Sequence, residues 1–276
     1  TGASITVTGS TFLSNIAMSK GGAIVAHGPS TSLRVHNCTF SGNKAFGLGP
    51  DIQAGAGGSI YAGRDVVVHV SQSHFEAGVA VYGGGALFLC GGRIDDSTFT
   101  RNEANTAFGA VVSGAFPEEV GPCPALQVTR CLFDSNEAVL GNGGAIAVVE
   151  SSFLLENSSI TNNKGGGVYF GVSDWSGRDS IELVRTHFEY NEGSEFSPRV
   201  VGASVLLEVT NGSISTPPTA GPPPDASTTI DLGWWAEELF CFSNKPYECE
   251  VYWAGGGSLL VRKGDLRCNS CGGESF

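Results

Sequence analysis

Short runs in which apolar and polar residues strictly alternate, broken every few positions by Gly, Asn or Ser, follow one another from Ile5 to beyond Phe188. That alternation has the period of a strand, and no helical period competes with it. One register returns seven times, centred on Phe12, Phe40, Phe75, Phe99, Phe133, Ile160 and Phe188. Five residues before each centre stands Val7, Val35, Val70, Ile94, Val128, Leu155 or Leu183. Two before it stands a small residue: Ser10, Cys38, Ser73, Ser97, Cys131, Ser158 or Thr186. Three after it stands Asn15, Asn43, Asn102, Asn136, Asn163 or Asn191, with Gly78 in the third copy. Offsets this constant, with intervals between centres of 24 to 35 residues, describe one structural unit repeated between variable loops. The unit cannot bury its apolar face alone, so the copies must stack as a solenoid.

The fifth copy shows what a unit contains. Leu126-Gln-Val128 alternates as a strand, Thr129-Arg130 turns, Cys131-Leu-Phe133 forms a second strand, and Gly143-Gly-Ala-Ile-Ala-Val148 forms a third led by glycines. Glycine permits the corner and the positive φ expected there. Three short strands per unit predict an all-β chain: a right-handed single-stranded parallel β-helix of about seven to eight coils, with a Cys-rich C-terminal cap or extra coil. Stacking turns each register position into a row along the axis. The centres become an internal Phe stack interrupted at Ile160, and the Asn positions become an amide ladder that bonds to the next coil's turn and tolerates a left-handed backbone. Gly78 fits that backbone reading, since Gly shares the tolerance. The expected organisation is a β-helix over 1–213, a Pro-rich loop or linker over 214–230, and a Cys- and Trp-rich coil or cap over 231–276.

The Phe-x-x-Asn elements paired with Gly21-Gly-Ala-Ile24, Gly57-Gly-Ser-Ile60, Gly84-Gly-Ala-Leu87 and their equivalents resemble the repeat of the chlamydial polymorphic membrane proteins. The resemblance spans roughly residues 4 to 210. It implies a surface-exposed β-helix that acts in adhesion, on the architecture of the pectin lyase-like superfamily. Nothing in the chain resembles an autotransporter's membrane barrel.

Composition narrows the function classes. Gly is 40 of 276 residues, charged residues are 15%, and the net charge is -12. An acidic chain is a poor partner for nucleic acid or an anionic membrane surface, and no run of about 18 apolar residues offers a membrane span. The chain enters its first repeat within a few residues of Thr1, without an initiator Met, which reads as a piece of a longer protein. Eight Cys and three sequons, at Asn37, Asn157 and Asn211, point to an extracellular, secreted surface glycoprotein with N-glycans at those positions. Cys90 and Cys123 follow glycine corners in successive coils and are the expected array disulfide. Cys38 and Cys131 share a row but lie three coils apart, about 14 Å, too far to bridge. Cys241, Cys249, Cys268 and Cys271 are expected to pair among themselves. Cys268 and Cys271 have zinc-ligand spacing, but no second pair at that spacing joins them, so no metal is expected.

Catalytic candidates reduce to two groups. Lys44, Val79, Glu103, Glu137, Lys164 and Glu192 form one row, in which Glu103 and Glu137 would sit about 5 Å apart, near the separation of a retaining glycosidase pair. Asp95-Asp96 is the other, with Asp96 expected to face Arg130 one coil on. Both read better as ordinary cross-strand pairs. The five His, at 27, 36, 69, 74 and 187, lack metal spacing, and the glycine runs precede strands rather than the helix a phosphate loop needs. The expected function is therefore noncatalytic and cofactor-free: a structural or adhesive β-helix of a larger surface or matrix assembly. Its expected partners are other surface or matrix proteins, glycans or further copies of itself, with loop residues Phe116, Trp175 and Phe196 as candidate contacts. The alternative is a polysaccharide lyase or hydrolase, or a carbohydrate-binding β-helix, on the same scaffold.

Overall fold

The computed structural model describes residues 2–47, 54–106, 108–114, 123–140, 143–149, 151–170, 183–189 and 191–192, and the backbone of 171–172, 180–182, 196–200, 206–210, 213–215, 239–242, 250–253 and 260–262. The chain coils through four parallel sheets, visiting each in turn, with the third sheet continued in the later coils by single bridges rather than strands. The first sheet begins with Ser4–Thr8 and Thr31–His36 and has nine strands. The second begins with Thr11–Leu13 and Thr39–Ser41 and has eight. A third sheet of five two-residue strands starts at Ile16–Ala17, and a fourth of seven starts at Ile24–Ala26. Four strands per coil replace the three expected. The extra one lies immediately after the ladder Asn, where two residues are too few to display an alternating pattern.

Register is as the repeat requires: Val7 pairs with Val35, Phe12 with Phe40, Phe75 with Phe99, and Phe133 with Ile160. Phe12, Phe40, Phe75, Phe99 and Phe133 stack with centroids 4.7 to 4.9 Å apart and nearly parallel planes. This is the strand spacing itself, so the backbone ladder sets the ring separation and the rings fill the core at no extra strain. Ile160 and Phe188 continue the column, both buried.

Two polar rows reinforce the apolar ones. Asn136 Oδ1 accepts from the backbone N–H and from Nδ2 of Asn102, each at 3.0 Å, while its own Nδ2 donates to the Phe99 carbonyl at 2.9 Å. Asn163 and Asn191 repeat the pattern. The amide ladder thus bonds in both directions and to the Phe carbonyl rather than to a turn. It is also not left-handed. Positive φ falls one residue earlier, at Ser14, Gly42, Ala77, Arg101, Ser135 and Asn162. Gly78 needs another explanation, because its φ is ordinary: a Cβ there would lie 2.3 Å from the Gly85 carbonyl oxygen. The missing amide is partly compensated by Ser59, a buried hydroxyl in a row that holds Ala23, Ala86, Ala110, Ala145 and Gly167 elsewhere, which receives Asn43 Nδ2 at a long 3.5 Å.

The second polar row is the small position. Ser73 Oγ donates to its own Ser71 carbonyl at 2.8 Å and accepts the Cys38 N–H at 3.1 Å; Ser97 and Ser158 do the same for the coils before them. Each hydroxyl closes the corner between the first and second sheets. The glycine pair at the entry to the fourth sheet divides its work. Gly84 has φ +68°, and a Cβ on Gly58 would sit 2.1 Å from the Gly85 oxygen, so the first Gly of a pair supplies the turn and the second the close approach.

Strand Leu206–Thr210 pairs with Ser180–Val184, and Ser213–Ser215 pairs with His187–Glu189, matching Ile214 to Phe188. The coil therefore runs past residue 213, and Ile214 belongs to the array rather than to the Pro-rich segment. Leu260–Arg262 adds to the first sheet beside Leu206–Thr210, while Leu239–Phe242 and Glu250–Trp253 form an antiparallel pair. Phe196 opens a fourth-sheet strand opposite Val168 and is not a loop residue. Phe116, Trp175 and the remainder of 216–238 lie outside the described residues.

Candidate functional site

Among the described residues, chemistry is displayed on outward rows, because alternation sends every second side chain of a strand inside. Several such rows carry charge.

On the third sheet, Glu103 pairs with Glu137, and Glu137, Lys164 and Glu192 follow as successive bridges. Their order is the expected one. Among the described residues, however, no ion pair joins Glu137 to Lys164 or Lys164 to Glu192, so the row is a register of charges rather than a chain of bonded pairs. All four side chains reach the surface, with Lys164 and Glu192 the more exposed.

The densest cluster lies where the first sheet turns into the second. Asp95 is 7% exposed in its side chain; its Oδ2 takes Arg93 Nε at 2.6 Å and His69 Nε2 at 3.1 Å. Its Oδ1 has no hydrogen bond, with Arg130 Nη2 at 4.0 Å supplying an ionic partner. Asp96 faces Arg130 through two bonds, Nε to Oδ1 at 2.6 Å and Nη2 to Oδ2 at 2.8 Å. The hydrogen bond from Arg130 holds the Asp96 carboxyl below the usual range, and the bond to Asp95 raises Arg93. A carboxylate held below its usual range by a guanidinium is a poor general acid.

Beside it runs a shallow groove of about 570 Å³ floored by Ser97, Cys131 and Ser158 and rimmed by Asp96, Arg130, Asn157 and Arg185. Arg185 donates Nε to Asn157 Oδ1 at 2.6 Å and also bonds the Glu156 carboxylate. Cys131 is buried and free, and burial pushes its thiol up to about 12, so it offers no thiolate at neutral pH. On the second sheet, Arg101 bonds Glu76. Asp134 is pushed up by burial, but bonds from Asn162 at 2.7 Å, Thr161 at 2.8 Å and Ser135 at 2.9 Å outweigh that and lower it. His74 bonds Thr98 Oγ1 and lies 3.5 Å from Glu76; burial, then Arg101, lowers its pKa.

Asn37 and Asn157 occupy the same left-handed corner position, φ 51° and 49°, and both are exposed. Asn211 lies outside the described residues. Cys90 and Cys123 form a disulfide with Cα atoms 5.1 Å apart. Cys38 and Cys131 are buried free thiols. Cys249, Cys268 and Cys271 are outside the described residues, and only the backbone of Cys241 is described. Among the described residues no three His, Cys, Asp or Glu side chains are grouped to hold a metal ion, and no helix is long and apolar enough to cross a membrane.

One feature of this surface has no sequence signal in alternation. Tyr61, Phe88, Val112 and Ala147 point away from the core on the fourth sheet yet are buried, with Tyr82, Phe108 and Tyr169 packed against them. Runs such as Ile60-Tyr61-Ala62 and Leu87-Phe88-Leu89, apolar at every position, are the signal that could have found this second, external core.

A family model described as right handed beta helix region matches residues 1–214. No curated protein and no solved structure matches the chain.

Proposed function

The chain belongs to the right-handed β-helix family, and from that premise we propose that it is a noncatalytic structural or adhesive rod, part of a larger cell-surface or matrix glycoprotein. The observation that carries this reading is how the charged groups are used. Glu76 bonds Arg101, Asp96 bonds Arg130, and Glu156 bonds Arg185. In each pair the acid belongs to one coil and the base to the next, so the carboxylates staple the solenoid along its axis. Asp134 does the same through Thr161 and Asn162. Such groups resist axial separation, and a carboxylate engaged by a guanidinium of the next coil is not free to serve a substrate. The corner sequons at Asn37 and Asn157 support an extracellular glycoprotein, and the Phe-x-x-Asn register supports a repeat of the polymorphic membrane protein type, within the pectin lyase-like architecture.

A carbohydrate-active or carbohydrate-binding β-helix is the second reading, favoured by the in-register Glu103 and Glu137 and by the groove beside Arg130. Incubation with neutral and acidic polysaccharides, followed by assay of reducing ends and of unsaturated products, separates the two. The rod reading expects no release with any substrate. Release that is lost in Glu103→Gln or Glu137→Gln would overturn it.

A further inference from the structure

One sequon asparagine stands on the lip of the shallow groove where the first sheet turns into the second. Asn157 is exposed and lines this depression together with Ser158 and Ser159, so the whole acceptor triplet borders it. Leu132 faces outward one rung before Ser159 and is 37% exposed, an apolar spot among hydroxyls and guanidinium groups. Arg130 and Arg185 flank Asn157 on the coils before and after it. Each commits Nε and Nη2, Arg130 to Asp96 and Arg185 to Asn157 and Glu156, and among the described residues nothing bonds Nη1 of either.

The amide of Asn157 is already oriented. Arg185 Nε donates to its Oδ1 at 2.6 Å, which leaves Nδ2, the atom that carries an N-glycan, without a partner among the described residues. Asn37 shares the corner conformation, but its neighbours in the corner row are Gly9 and Gln72, neither of them cationic or bulky and apolar.

We propose that Asn157 carries an N-linked glycan whose reducing-end sugars lie in this groove, over Leu132 and between the two guanidinium groups. The proposal rests on the extracellular glycoprotein reading and names the sequon whose glycan is bedded on the protein. Transfer from a glycosyl diphosphate bonds Nδ2 to the anomeric carbon, breaks that carbon's bond to the diphosphate and releases one amide proton. Oδ1 keeps its lone pairs throughout, so the Arg185 bond survives the modification. The groove, at about 570 Å³, lies within the size range of small-ligand sites, and a pyranose offers an apolar ring face to Leu132 and oxygen acceptors to the spare guanidinium N–H groups. Tethering selects this occupant over a free polysaccharide: a sugar attached at the lip is held beside the groove at a millimolar effective concentration. The same glycan closes the groove to an external polysaccharide.

Secretion of the whole chain from eukaryotic cells, followed by glycopeptide mass spectrometry and timed digestion of the native protein with a peptide-N-glycosidase, tests this. Asn157 is expected to be glycosylated. Its glycan should leave native wild type about tenfold more slowly than native Leu132→Lys, a ratio that a groove contact of about 1.4 kcal/mol supplies. Leu132 points outward and lies outside the sequon, so unchanged thermal melts of Leu132→Lys, and of the milder Leu132→Ser, control for folding. Equal release from wild type and both variants, or an unmodified Asn157 beside a modified Asn37, overturns the bedding while the glycoprotein reading stands. Absence of glycan at both positions overturns the bedding and the glycoprotein reading together.

Discussion

Asn136 has both ends of its amide committed within a site from which water is excluded, accepting from Asn102 and donating to Phe99 and Asn163. Truncation would strand the Asn102 N–H and take a side-chain donor from the Phe99 carbonyl, and leaving a buried partner unpaired costs about 1–3 kcal/mol. Asn136→Ala is expected to lower stability by about 2–4 kcal/mol, read from the urea midpoint, whereas Asn15→Ala in the exposed first rung should cost well under half as much. Cys131 makes a second residue-scale prediction. With its thiol pushed up to about 12 by burial, it should resist alkylation by iodoacetamide in native protein at pH 8 and react promptly in denaturant. Its raised value also contributes stability that is complete below the unfolded thiol's pKa and fades as pH climbs from there toward 12.

At the scale of the element, corners and staples decide more than strands do. The Cys90–Cys123 bond closes a 33-residue separation that includes the junction between the fourth and first sheets. Chain entropy alone predicts a loss of about 3–4 kcal/mol on breaking it, so Cys123→Ser should lower the denaturation midpoint relative to wild type. The inter-coil ion pairs give an opposite kind of test, one of pH. Asp96 sits below its ordinary value because Arg130 bonds it, so its contribution is present above about pH 4, the unfolded carboxylate value, and disappears as pH falls through the folded one. Asp96→Asn should therefore be less stable than wild type at pH 7 and equal to it near pH 2. The difference will be modest, since the side chain is 40% exposed and solvent screens the pair.

Across the whole molecule, stability accumulates coil by coil, each contacting only its neighbours. Phe99 sits between Phe75 and Phe133 in mid-column. Phe99→Ala should cost about 3–5 kcal/mol and, if the array is long enough to lose cooperativity, separate the unfolding of the two halves into distinct phases by hydrogen exchange. The same linearity explains the surface. A solenoid has no deep central cleft to spare, and its outward rows carry its charge, as the inter-coil pairs Glu76–Arg101, Asp96–Arg130 and Glu156–Arg185 exemplify.

By itself the sequence determined the solenoid, the seven centres, the aromatic column and the Asn row, because constant offsets between inward residues survive any variation in the loops between them. It also located Asp96 against Arg130 and placed Glu103 against Glu137, since rung neighbours follow from register alone. Only the tertiary structure decided the rest. The fourth strand of each coil is too short to show a period. The left-handed residue proved to be the one before the ladder Asn, a distinction that composition cannot make when Ser, Ala and Arg are forced into that conformation by the hydrogen bond their N–H makes to the next coil. Gly78 is dictated by the Gly85 carbonyl, a neighbour from another part of the coil, and Ser59 answers it from a third. The outward Tyr61 and Phe88 are buried by residues distant in the chain. Register is local information repeated, and so it can be read from one dimension; close approach and burial depend on which segments meet, and that is settled only when the coils are wound.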